Sequence, residues 1–181
     1  MDLVWLAFSW ALFVVTFVFL AQRESKVRPI PAALGLAFLK LAIASVVIGF
    51  GYGLEPALWA GLQGGPEKGL EELGRLLGEH WYRLLTSGFL PACLGLTVAS
   101  LAATPQAGTQ RAILVVVLSL AFADVFWSVA NSRPIENLVF SLFSDVFGGL
   151  IAGLFVGWLA RWRAIAQPRP QANVASTTEA A

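Results

Sequence analysis

Residues 112–160 read AILVVVLSLAFADVFWSVANSRPIENLVFSLFSDVFGGLIAGLFVGWLA. Two apolar runs, 112–131 and 138–160, flank a short polar turn. Each run is close to the roughly 20 residues that a helix needs to cross a hydrocarbon core. So short a connection makes the two helices antiparallel neighbours. Each carries the same phrase, FADVF over 122–126 and FSDVF over 143–147. An aspartate at the centre of a membrane helix costs about 2.5–3.5 kcal/mol on insertion scales. Two of them call for a reason.

In a symmetric hairpin, positions equidistant from the turn lie at equal depth. That rule pairs Asp124 with Asp145 and Ser128 with Ser141, and Asn131 stands beside the turn. Ser141, Asp145, Gly149, Gly153 and Gly157 recur every four residues, so they share one helix ridge. Asp124, Asp145, Ser128, Ser141 and Asn131 therefore form the candidate site for a cation, a cationic substrate or a proton. At 1.5 Å rise per residue, both aspartates are expected about 10 Å below the outer surface. The plainer alternative is that protonated carboxyls and serines bond across the hairpin and fix its register. Gly149, Gly153 and Gly157 are the expected helix-packing interface, because glycines let backbones approach closely.

The rest of the chain has the same character. Of 181 residues, 57% are hydrophobic and 13% charged, and mean hydropathy is +0.74. Soluble domains carry about 25% charged residues. Further apolar runs cover 3–21, 32–53 and 85–103. The expected fold is an all-α integral membrane protein, a bundle of five transmembrane helices within residues 1–166. Arg23, Lys26, Arg28, Arg111, Arg161, Arg163 and Arg169 all fall on one side if the N-terminus is outside and the C-terminus inside. The tail over 167–181, rich in Pro, Ala and Thr, is expected to be a disordered cytoplasmic extension.

Residues 54–84 make the longest connection, on the outer side. Pro56 and Gly64-Gly65-Pro66 read as irregular chain. An amphipathic helix follows over 67–84, with leucines and Trp81 on one face and Glu67, Glu71, Glu72, Arg75, Glu79 and Arg83 on the other. It is expected to anchor on the outer membrane face or to cover an outer cavity. Lys40 and His80 are secondary site candidates. Lys40 lies in the second span, about 10 Å from the inner face. It is expected to extend to the headgroups there, or else to meet an aspartate. His80 sits on the outer helix, on the same side as the aspartates.

Several chemistries are excluded or unsupported. One Cys and one His rule out an intramolecular disulfide, a CxxC site and a His-rich metal site. Cys93 reads as a small packing residue. No nucleotide-binding glycine loop, nucleophile elbow or metal-ligand spacing occurs, so no cofactor and no metal is implied. Twelve basic against eleven acidic residues, without a basic block, give no reason to expect nucleic acid. The expected function is transport-related, as a permease or the substrate-binding membrane subunit of a larger transporter. The alternative is a scaffold or assembly subunit that docks through its glycine-rich last span. A lipid-acting enzyme ranks third. The expected partners are the bilayer and either another membrane protein or a second copy. The expected location is a plasma membrane of the bacterial inner-membrane type.

Overall fold

The computed structural model describes residues 2–79, 81–130 and 135–165. Asn131, His80 and the tail over 167–181 lie outside the described residues. Six helices follow one another: α1 (Asp2–Ser25), α2 (Ile30–Gly64), α3 (Pro66–Glu79), α4 (Trp81–Leu101), α5 (Pro105–Ala130) and α6 (Ile135–Ile165). No strand occurs among the described residues. Four segments are long and apolar enough to cross a membrane: Ala7–Ser25, Ile30–Gly64, Pro105–Phe126 and Ser141–Trp162. The apolar part of α4, Ser87–Leu101, is shorter.

Direction follows from the contacts. Trp10 and Phe13 of α1 pack on Phe89 of α4, with ring centroids 5.2 and 4.9 Å apart. Glu24, later in α1, shares a pocket with Ala99, later in α4. These two helices therefore run parallel. The chain reverses between α1 and α2, α2 and α3, α4 and α5, and α5 and α6, but not between α3 and α4, so α1, α4 and α6 run one way and α2 and α5 the other. One end of the bundle gathers Arg23, Arg28, Arg111 and Arg161 and is called the basic end below. The other receives the last turns of α5 and the first of α6.

The core lies around α4, which touches every other helix. Phe89, Ala92, Cys93 and Leu96 of α4 are buried with Leu41 and Ala44 of α2, Val116 of α5 and Val156 of α6. Close packing here depends on missing side chains. A Cβ on Gly88 would fall 2.1 Å from the Ser45 carbonyl oxygen, and one on Gly95 would fall 2.9 Å from the Val116 side chain. Outward-facing positions such as Phe38, Leu114, Phe122, Phe143 and Ile151 are exposed and apolar, as suits contact with lipid.

The segment expected to be irregular is helical. α2 continues through Pro56 to Gly64, and Gly65, at φ +93°, makes the turn into α3. A proline inside a helix forfeits one hydrogen bond, but packed membrane helices tolerate it. The apolar run after Pro56 also gains a partner, because α3 folds back onto it. A Cβ on Gly69 would lie 2.9 Å from the Ala57 carbonyl oxygen and 3.2 Å from Gly61 Cα. The amphipathic helix expected over 67–84 is thus α3, ending at Glu79, with a new helix from Trp81.

Candidate functional site

The FxDVF phrase has a helical logic. Residues two apart on a helix point to nearly opposite sides, and residues four apart stand together. Asp124 and Asp145 therefore turn inward while the flanking phenylalanines turn outward. Both aspartates are buried, and Phe122, Phe126, Phe143 and Phe147 are exposed. The outer rings meet in pairs, at 6.4 Å for Phe122–Phe126 and 4.9 Å for Phe143–Phe147.

The glycine ridge of α6 seats on α5 of the same chain. Cβ atoms added at Gly149, Gly153 and Gly157 would fall 2.9, 2.4 and 2.8 Å from the Cα atoms of Val117, Ile113 and Thr109. The ridge is therefore already covered, and docking a separate partner on it, as the scaffold alternative requires, would displace α5. This interlock also sets the register, which differs from that of a symmetric hairpin. Extended outward, it puts Ser141 level with Val125 and Asp145 level with Ala121. Asp145 thus lies about 4.5 Å, three residues of rise, nearer the basic end than Asp124. Ser141 is opposite Asp124 rather than opposite Ser128, and its hydroxyl donates to Asp124 Oδ2. Ser128 is buried one turn further along α5.

A third carboxylate joins them. Carboxylate oxygens of Glu55, Asp124 and Asp145 all lie within 4.8 Å of one another. Glu55 comes from the unexpected extension of α2, immediately before Pro56. The cluster therefore gathers one acid from each of three helices. Asp145 is 4% exposed, and its Oδ2 is buried without a hydrogen-bond partner. Two unit charges about 4 Å apart repel by about 4 kcal/mol at an effective dielectric of about 20. Three carboxylates this close are stabilised by shared protons or by a cation between them. All three donors are hard oxygens, the preference of Mg²⁺, Ca²⁺ and Mn²⁺ rather than of zinc or copper.

Lys40 belongs elsewhere. Its Nζ lies 2.9 Å from Glu24 Oε1, and both side chains are nearly inaccessible, at 3% and 5% exposure. Arg28 Nε stands 3.7 Å from Glu24 Oε2. Lys40 thus neither extends to headgroups nor meets an aspartate. Sequence reasoning missed Glu24 as its counter-ion and Glu55 as the third acid. A signal for Glu24 was available: a lysine inside a span needs an anion, and Glu24 is the acid nearest in level across the α1–α2 turn. For Glu55 the breaker reading of Pro56 concealed the helix that carries it.

No family model, curated protein or solved structure matches the chain.

Proposed function

We propose that this chain is a transport-related membrane protein that handles a cation or a proton at Glu55, Asp124 and Asp145. The observation that carries the reading is the buried, unpartnered Oδ2 of Asp145 within a three-helix carboxylate cluster. Intramembrane acids are costly, and the default reading of one facing the bundle interior is an ion or proton pathway. The covered glycine ridge weighs against the scaffold alternative.

In this reading α4 is the fifth span. Its 21 residues reach about 31 Å at 1.5 Å each, close to the roughly 30 Å of a hydrocarbon core. The basic end faces the cytoplasm by the positive-inside tendency, with the carboxylates toward the outside and the membrane a bacterial-type inner membrane. The test uses proteoliposomes loaded with dyes for H⁺, Na⁺ and Mg²⁺. Asp145→Asn keeps the side-chain shape and removes the charge, so flux or binding of the handled ion should fall at least about tenfold, equivalent to 1.4 kcal/mol. Thermal stability should stay within about 1 kcal/mol of the parent. Wild-type flux and binding in the Asp124→Asn/Asp145→Asn double variant would sink the reading.

A further inference from the structure

The end of α2 and the whole of α3 stand at the side of the bundle as a helical hairpin. Among the described residues α3 packs on α2, touches α4 lightly and meets none of α1, α5 and α6. An apolar groove of about 480 Å³ runs between the two helices, lined chiefly by Leu54, Leu58, Leu62, Gly69, Leu70 and Leu73. Leu62 and Leu70, on its two walls, are 77% and 69% exposed, and Leu58 is little less so. A contiguous apolar surface of this kind marks a face that something else covers.

Continuity indicates what the cover is. Val47, Phe50, Leu54, Leu58 and Leu62 are all exposed. They follow one another at steps of three or four residues, so they form one stripe. Its first part lies in the apolar span that faces lipid, and it passes Pro56 without a break. Depth agrees. Glu55 reaches the carboxylates of Asp124 and Asp145, so the hairpin begins level with the FxDVF phrases. At 1.5 Å per residue, Leu62 lies at most about 10 Å beyond Glu55, and Val129 of α5 lies about 7.5 Å beyond Asp124. Val129 and Phe126 are themselves exposed and apolar. A bilayer that covers them also reaches most of the groove. The polarity of α3 fits as well. Gly69, Leu70, Leu73 and Leu77 share one face, while Glu67, Lys68, Glu71 and Arg75 are exposed on the other. A helix so divided lies in the interface, with its charges in water and its leucines among acyl chains.

We propose that the α2–α3 hairpin lies in the leaflet at the carboxylate end of the bundle and that its groove seats a lipid acyl chain. The partner is hydrocarbon rather than a headgroup. The groove lining is apolar, and α3 carries four glutamates against Lys68 and Arg75, which disfavours an anionic lipid surface. The inference does not rest on what the carboxylates handle, nor on which way the chain faces.

The experiment places a nitroxide label, one at a time, at Leu62→Cys, Leu70→Cys, Lys68→Cys and Glu71→Cys in the full chain, reconstituted in phosphatidylcholine vesicles. The native Cys93 is fully buried, so the label goes to the introduced thiol. Relaxation by oxygen, which concentrates among acyl chains, is compared with relaxation by a water-soluble nickel chelate. Oxygen should dominate at Leu62 and Leu70, and the order should reverse at Lys68 and Glu71. Nickel dominance at Leu62 and Leu70 would put the hairpin in water. Shielding of both from either reagent would mean that a second copy or another protein fills the groove. Oxygen dominance at Lys68 and Glu71 as well would mean that α3 is sunk on every side. Each of these three results overturns the proposal.

Discussion

Lys40 and Glu24 show how a single charge in an apolar helix is accommodated. Neither reaches water, so each relies on the other, bonded at 2.9 Å. Removing one member of a buried pair leaves an uncompensated charge and costs about 3–5 kcal/mol. Lys40→Met should therefore lower stability by about that much, and adding Glu24→Leu should restore most of it. Chemical denaturation in mild detergent reads both. A Lys40→Met protein as stable as the parent would show the pair to be unimportant. The same residue scale explains what the sequence made legible. Asp124 and Asp145 stand out because a carboxylate in an uninterrupted apolar run has no local excuse. Glu24 and Glu55 were hidden by their neighbours, one within the polar run QRESK and the other before Pro56. Their partners are distant along the chain, and only packing reveals them.

Helix pairing turns on where glycine replaces a side chain. The α6 ridge fits α5 so closely that a Cβ at Gly153 would fall 2.4 Å from Ile113 Cα. Gly148, five residues earlier and facing away, has nothing within 4 Å. Gly153→Leu should force the hairpin apart and cost about 1–3 kcal/mol or more. Gly148→Ala should stabilise by up to about 1 kcal/mol through helix propensity alone. Thermal unfolding followed by circular dichroism separates them, and equal effects would contradict the interlock. Four-residue spacing made the ridge readable in advance, but not its partner, since spacing says which face is smooth and not what lies on it. The hairpin register was misread for a related reason. Symmetry about the turn assumes equal helix ends, whereas the glycine seats fix the level of every residue beyond them. Likewise α2 extends past its expected end because α3 covers it, a tertiary contact that outweighs the local preference of Pro56 and the glycines near it.

Across the whole molecule, the all-helical, membrane-suited character was legible from composition and run length. The central place of α4 was not, because its apolar segment is the least conspicuous of the set. That place has a consequence for biogenesis. A helix shielded by α1, α2, α5 and α6 has little lipid-facing surface of its own. Its insertion is therefore expected to depend on neighbours synthesised after it. A chain ending after α4 should leave this helix only partly inserted, and adding α5 and α6 should draw it fully into the bilayer. Acceptor sites for glycosylation placed after residue 101 of the truncated chain would report its position during translation. Complete insertion of the shortened chain would mean that α4 enters on its own strength. If insertion waits instead, the order of synthesis leaves the two ends of α5–α6 to close the bundle last, and the acids of three helices meet only when the last span has arrived.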